Sequence, residues 1–371
     1  MDNTSHERGV HLKIGLCTGG GDCPGLNAVI RAIVKNATGM GQHTVIGIEN
    51  SLTGLLHRPP RVRLLSLDEV TPILERGGTI LGTSSRGNIF DEGDEEQIRK
   101  VVEGYLLLGL DALIVVGGEG TQKLAKHLVD KGLNVIGVPK TIDNDLPGTD
   151  QTIGFSTAAD IAAEAVLRLK STAESHDRIM ILEVMGRDSG YIALHSGLAS
   201  GANVILIPEI PFSYDAISAK IEERRRLGRL FSVIVAAEGA YPEGKAPFFK
   251  HPSGGGPRLG GIGQDIAQEL HQRTGFETRV TVLGHVQRGG TPNREDRIMG
   301  TMFGAKAMEM AINRRFGRFV ALINGTIGER SYDDIETGAR LQIDIQSNQH
   351  IATAESIGIS LGRLTPFVAQ P

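Results

Sequence analysis

The sequence predicts an α/β protein built as two doubly wound lobes, each a mainly parallel sheet with helices on both faces. Two observations predict it. Nine short runs are nearly continuous in Val, Ile, Leu and Ala, as strands buried on both faces are. Helix-length segments with a 3.6-residue apolar period separate them, and that alternation produces right-handed βαβ units. So many strands overfill one open sheet, and 371 residues, 40% hydrophobic and 22% charged, supply cores for two lobes. In such sheets ligands bind beyond the carboxyl ends of the strands, where many of the 49 glycines fall.

The first run, HLKIGLCT from His11, leads into TGGGDCPGLNAVIRAIVK, Thr18 to Lys35. Gly19, Gly20 and Gly21 would let the backbone approach a bulky anion, and a helix from about Gly25 would aim free N–H groups at it. A tight strand-to-helix turn explains the same glycines without a ligand, and the spacing matches neither the Walker nor the dinucleotide pattern. HTVIGIE from His43 is the second strand. Glu95–Leu110 reads as a helix with Ile98, Val101, Val102, Tyr105, Leu106 and Leu108 on its apolar side. DALIVV from Asp111 then runs into GGEGTQKLAKHL, where Gly117, Gly118 and Gly120 surround Glu119, and Thr121 opens a helix. A carboxylate beside phosphates requires Mg²⁺ between them; a capped turn with a solvated Glu is the plainer alternative.

NVIGV from Asn134 continues into PKTIDND, which sets Lys140, Thr141, Asp143 and Asp145 past a strand end. Aspartates cap turns readily. In extended backbone, however, residues two apart point the same way, and transfer of a phosphoryl group to an alcohol needs a base, a metal and positioning donors. RIMILEV, preceded by Arg178, is followed by Met185, Gly186 and Arg187; NVILIPE comes next; FSVIVAAE ends at Glu238; ETRVTVLGHVQRGG carries Arg279, His285 and Arg288; FVALING is the ninth run. Each arginine alone reads as a surface residue and His285 as a core histidine. Together they form a plausible site for a phosphorylated substrate, since guanidinium pairs bidentately with phosphate. The Gly- and Pro-rich stretch 240–262, with HPSGGGPRLGG from His251, reads as a mobile loop, residues 1–10 as a flexible polar tail, and about 340–371 as a polar extension.

The net charge is −4 with dispersed Lys and Arg, which speaks against nucleic-acid and polybasic membrane partners. Cys17 and Cys23 have neither zinc-site nor disulfide-framework spacing. No apolar run approaches the roughly 18 residues of a spanning helix, and the first ten residues lack a signal-peptide core. A cytoplasmic protein is expected.

In combination, TGGGDCPGLNAVIR, GGTILGTSSR, GGEGT, PKTIDND, SHDRIMILEVMGR and ETRVTVLGHVQRGG resemble the 6-phosphofructokinase family, from about Lys13 to Asn324. The resemblance implies two Rossmann-like three-layer lobes, the phosphofructokinase fold, with an active site in the cleft and the chain crossing between lobes more than once. Residues 11–155 with about 288–338 would form the ATP and Mg²⁺ lobe, and 156–287 with about 339–371 the fructose 6-phosphate lobe. The implied reaction moves a phosphoryl group from ATP to the 1-hydroxyl of fructose 6-phosphate. Asp143 matches the general base, with Thr141 and Asp145 supporting it and Arg187 beside them. Gly20, Arg86, Gly118, Glu119, Gly120, Thr121 and Lys140 match the donor site, with Glu119 towards the metal. Arg178, Met185, Gly186, Arg187, Glu238, Arg279, His285 and Arg288 match sugar-phosphate contacts. Arg178 and Arg279 correspond to residues that reach in from a neighbouring subunit, which implies a homo-oligomer, usually a tetramer.

Three departures stand out. Glu119 replaces the Asp of the common short bacterial form. Arg86 is displaced by one residue from the usual donor-binding position. Arg31 matches an effector-binding position of this allosteric family, but Lys35 and Asn203 stand where Arg and Glu are usual. The donor stays open between ATP and pyrophosphate: Lys140 resembles the pyrophosphate-dependent branch, Gly120 the ATP-dependent one. A regulatory protein that binds sugar phosphate without catalysis is the alternative of another class, and retention of Asp143, Glu119 and the arginines speaks against it.

Overall fold

The computed structural model describes residues 11–41, 43–84, 95–250 and 258–364. Arg86, residues 1–10, and 251–257 of the glycine- and proline-rich stretch lie outside the described residues. The strands are β1 (Lys13–Thr18), β2 (Thr44–Ile48), β3 (Val62–Leu64), β4 (Ala112–Gly117), β5 (Val135–Thr141), β6 (Ile153–Gly154) and β7 (Ile179–Val184). They continue with β8 (Val204–Leu206), β9 (Ser232–Ala237), β10 (Phe249–Lys250), β11 (Arg258–Leu259), β12 (Thr278–Val282), β13 (Arg318–Ile323) and β14 (Thr326–Ser331). The helices are α1 (Leu26–Gly41), α2 (Leu67–Val70), α3 (Glu95–Leu107), α4 (Glu119–Asp130) and α5 (Phe155–Ser175). After them come α6 (Tyr191–Ser200), α7 (Tyr214–Arg226), α8 (Ile262–Thr274), α9 (Arg294–Ile312) and α10 (Gln349–Ser356). None of the helices among the described residues is long and apolar enough to cross a membrane.

The chain divides into two units. The first comprises 1–141, 146–154 and 289–339; the second comprises 142–145, 155–288 and 340–371. The sheet of the first unit runs β14-β13-β5-β4-β1-β2-β3, with β6 beside β5. Pairing is parallel except at its edges, where β2–β3 and β13–β14 are antiparallel. All six residues of β4 are buried, as an interior parallel strand requires, and each large apolar side chain so buried contributes about 1.5–3 kcal/mol. Because β5, β4 and β1 are adjacent and parallel, the loops that leave their carboxyl ends share one edge. β2 pairs with β1 on the side away from β4, so the order in which strands are added reverses at β1, where α/β sheets open a ligand crevice.

The second unit holds a fully parallel sheet, β12-β7-β9-β8. One charged residue is sealed inside it. Glu183 of β7, 2% exposed, accepts the N–H groups of Gly261 at 3.0 Å and Gly263 at 2.9 Å. Gly261 is the N-cap of α8 and has no side chain to cap it, so the strand's carboxylate satisfies the helix's orphan donors. That explains a Glu in the otherwise apolar RIMILEV run. Before α8, the described flanks of the Gly- and Pro-rich stretch pair as the short antiparallel β10–β11 ladder.

Candidate functional site

In the first unit the glycine loop after β1 is fixed by its neighbours. Gly19 donates its N–H to the Val116 carbonyl of β4 at 2.8 Å. A Cβ on Gly19 would stand 2.8 Å from the Thr121 hydroxyl, so only glycine fits there. Gly20 adopts φ 77, the left-handed region that favours glycine. The Gly20 carbonyl accepts the Thr83 hydroxyl at 2.5 Å, and Thr18 donates to the Gly82 carbonyl at 2.9 Å. Asn27 is fully buried: its amide donates to the carbonyls of Arg76 and Gly77 and its oxygen accepts the Ile80 N–H. The 76–83 segment is thereby tied to the first turn of α1.

The neighbouring loop follows β4. Helix α4 begins at Glu119, two residues earlier than the sequence indicates, with Gly118 as an N-cap lacking a side-chain cap. Glu119, Gly120 and Thr121 therefore form a helical first turn, whose N–H groups and positive dipole end suit an anion. Among the described residues, nothing outside the helix's own backbone lies within 4 Å of the point where a Gly120 Cβ would be. Gln122, in the same turn, donates to the carbonyls of Gly117 and Val138, each at 3.0 Å, and accepts the Tyr332 hydroxyl at 2.5 Å. It binds the ends of β4 and β5 to the helix.

Lys140 in β5 is 3% exposed, and its ammonium donates to the Gly21 carbonyl at 2.5 Å. A Cβ on Gly20 would lie 3.5 Å from its Nζ. The cation is thus built into the glycine loop. Next to it, the Thr141 carbonyl accepts the Thr152 hydroxyl at 2.6 Å, and Thr141 pairs with Gly154 of β6.

The second unit begins at Ile142. Asn144 adopts φ 53, so the backbone between Asp143 and Asp145 is kinked, not extended, and the same-direction argument from two-residue spacing does not apply. Both aspartates are nonetheless buried, 5% and 4% exposed, and they interact. Burial, then the charge of Asp143, pushes the Asp145 carboxyl up to about 6, against the pull of Arg340 and Arg187.

Around it stand the loops after β7, β9 and β12. Arg187 adopts φ 52 and Gly186 φ 144. A Cβ on Gly239 would come 2.1 Å from the Arg187 carbonyl, so this glycine lets the two loops touch. The Arg187 N–H donates to Glu238 Oε1 at 3.2 Å. Burial foremost, with the Asp143 and Glu183 charges adding to it, raises Glu238 to about 7 despite that hydrogen bond. The Met185 N–H donates to Gln287 Oε1 at 2.8 Å. Gln287 is fully buried between His285, which is exposed and no core histidine, and half-buried Arg288. Gln287 was visible in GHVQRGG only as a motif member; Glu209 and Arg340, which also join this region, carry no sequence signal.

Arg178 and Arg279 lie elsewhere. Arg178 precedes β7 and Arg279 is the second residue of β12, so both sit at the amino ends of these parallel strands, roughly 20 Å of strand from the carboxyl-end loops. Arg178 bonds Glu277 at 2.6 Å, and Arg279 bonds the other oxygen of Glu277. Within one chain they do not join the Arg187 cluster, which corrects the reading that groups all the arginines in one place.

Taken separately, the first unit offers a helix N-terminus and a cation that suit phosphates, and the second a buried carboxylate pair beside a cationic loop. Among the described residues no three His, Cys, Asp or Glu side chains converge as a metal centre. Magnesium commonly takes one or two carboxylates and completes its shell with substrate phosphates and water, a demand that Glu119 at the α4 terminus fits.

Comparison with known proteins gives a consistent picture. The family model described as phosphofructokinase matches residues 13–311. An ATP-dependent 6-phosphofructokinase of Chloroflexus aurantiacus is 49% identical over 315 residues, 84% of this chain and 87% of that protein. A pyrophosphate–fructose 6-phosphate 1-phosphotransferase of Amycolatopsis methanolica is 50% identical over 315 residues, 84% of this chain and 90% of that protein. Among solved structures, Pichia pastoris phosphofructokinase in the T-state superposes with a TM-score of 0.79 at 28% identity, covering 94% of this chain and 37% of that longer one.

Proposed function

Because the chain belongs to the phosphofructokinase family, we propose that it is an ATP-dependent enzyme that phosphorylates the 1-hydroxyl of fructose 6-phosphate, giving fructose 1,6-bisphosphate and ADP. The observation that carries this reading is the pair of buried, interacting aspartates at the exit of β5, directly after the lysine and threonine that end the phosphate-binding edge. Asp143 takes the proton of the 1-hydroxyl as its oxygen attacks the γ-phosphorus and ADP leaves. Asp145 and Thr141 hold it in place. Arg187, Met185 and Gly186 after β7, Glu238 after β9, and His285 and Arg288 after β12 position the sugar phosphate. Gly20, Gly118, Gly120, Thr121 and Lys140, with Arg86, hold the donor phosphates. Mg²⁺, held by Glu119 and the phosphate oxygens, would neutralise charge on the transferring group. The same reading gives Arg178 and Arg279 to a neighbouring copy in a homotetramer, and the buried free thiols of Cys17 and Cys23 fit a reducing cytoplasm.

ATP is preferred because space around Gly120 is open. A carboxylate there would repel an α-phosphate by on the order of 3 kcal/mol at about 5 Å and an effective dielectric of 20, about a hundredfold in binding. The second reading, pyrophosphate as donor, is favoured by Lys140, whose buried ammonium at the glycine loop compensates charge on a short donor. Replacement of Asp143 by Asn tests the base. It is expected to lower kcat by about 10²–10⁴ with KM for both substrates little changed; wild-type kcat in that variant would remove Asp143 from the mechanism.

A further inference from the structure

The polar extension from about residue 340 has no reading in the sequence, yet it is stitched into the second unit at many points. The Ser213 N–H donates to the Gly362 carbonyl at 2.7 Å, Ser360 bridges to Val204 of β8, and Ile343 and Ile351 are buried. His350 of α10 stacks on His195 of α6 with ring centroids 4.5 Å apart.

At its start the segment meets the loops assigned to the acceptor chemistry. The Leu341 N–H donates to the Asp145 carbonyl at 2.8 Å. The Ile343 N–H donates to Glu209 Oε1 at 3.0 Å, and the same oxygen accepts the Gly190 N–H at 3.0 Å. Between these anchors the Arg340 guanidinium lies 2.5 Å from Asp188 Oδ2 and 3.8 Å from Asp145 Oδ2. One arginine thus spans the loop of the aspartate pair and the loop that carries Arg187.

On this basis, and resting on the function proposed above, we infer that Arg340 is a positioning residue for phosphoryl transfer: it holds the Asp145 carboxylate, and through it the setting of Asp143, so that residues 340–343 are a working part of the acceptor half. The groups that face Asp145 are Asp143 from its own loop, Arg187 from the loop after β7, Arg340 from the extension, and the Tyr191 hydroxyl from α6, while Asp188 competes for Arg340. Arg340 is one of two cations in that set. Its removal leaves a buried carboxylate pair with less compensation, so protonation of the pair sets in at higher pH.

The test uses the full chain with Arg340→Met and Arg340→Lys, assayed with fructose 6-phosphate, ATP and Mg²⁺ across pH. The Met variant is expected to lose roughly 10- to 100-fold in kcat, the scale of a small misplacement in the site, with both KM values within twofold of wild type. Its acid limb moves up by about one pH unit, and the Lys variant recovers part of both effects. A Met variant with wild-type kcat and acid limb overturns the inference. So does a loss confined to KM, or equal losses in Met and Lys with an unmoved limb. Should the Met variant not fold, Asp188→Asn decides: with the competing carboxylate gone, Arg340 acts on Asp145 alone and the limb moves to lower pH, whereas an unmoved limb overturns the inference. A wild-type chain that turns over neither ATP nor pyrophosphate contradicts the proposed function instead.

Discussion

Glu238 shows at the scale of one residue what a binding site demands of a fold. Its folded pKa stands near 7 against an ordinary 4.5, so between those values the native chain keeps a proton that the unfolded chain has released. Stability therefore falls as pH rises through that window and the full cost is present above it. Glu238→Gln removes the ionisable group while keeping the shape. The variant is expected to match wild type in stability near pH 4 and to exceed it by about 3 kcal/mol at pH 8, read from denaturant midpoints. Asp145, raised from 3.8 to about 6, acts with the same sign in both proteins and cancels in the difference. A gap that does not change with pH would contradict the burial of Glu238. The motifs made Asp143, Arg187 and Glu238 legible because glycine and acid stand together at strand ends. The raised pKa was not legible, since it depends on burial and on charges brought in from β7 and from the loop after β5.

At the scale of elements, the first turn of α4 is the most informative part of the phosphate-binding edge. On the proposed function the glycines that flank Glu119 let the turn approach the donor, and these same glycines make Glu119 and Gly120 look like loop residues in the sequence, whereas the helix starts two positions earlier, at Glu119. Gly120 sits in a helical first turn with free space around it, and an Asp there complements the dipole. Gly120→Asp is therefore expected to fold as wild type does and to lose ATP use by roughly a hundredfold while pyrophosphate use is not reduced. Unchanged ATP kinetics would contradict the assignment of the space beside Gly120 to the donor. The nine apolar runs all formed strands: near-continuous burial left the trace in β1, β4, β5, β7, β8 and β9, whereas β12 is a sheet edge with no buried residue. β14, TIGERS, left none: it is a mostly polar edge strand that owes its place to the hairpin with β13. On α3, Leu106 falls near the apolar side by period but is 66% exposed, because the helix ends at Leu107 and only Ile98, Val101, Gly104 and Tyr105 are buried. Tyr332 and Gln122, which meet across 210 positions of sequence, carry no local signal.

At the scale of the whole molecule, the chain moves between its two units at 141/142, 145/146, 154/155, 288/289 and 339/340. The residues proposed to hold the donor phosphates, up to Thr141, belong to the first, and Asp143 with the sugar-phosphate candidates belongs to the second. The peptide bond between Thr141 and Ile142 joins the two sets. Family and α/β class were legible from the motifs taken together. The role proposed for Arg340 was not, because the segment meets the aspartate loop through a backbone hydrogen bond from Leu341 and one arginine that no pattern marks. The central claim, an ATP-dependent transfer to fructose 6-phosphate, is tested most directly by the initial rate of fructose 1,6-bisphosphate formation with Mg²⁺, with ATP and pyrophosphate in parallel. Turnover with ATP and none with pyrophosphate is expected. Turnover with pyrophosphate alone would contradict it and make Lys140, not Gly120, the residue that selects the donor.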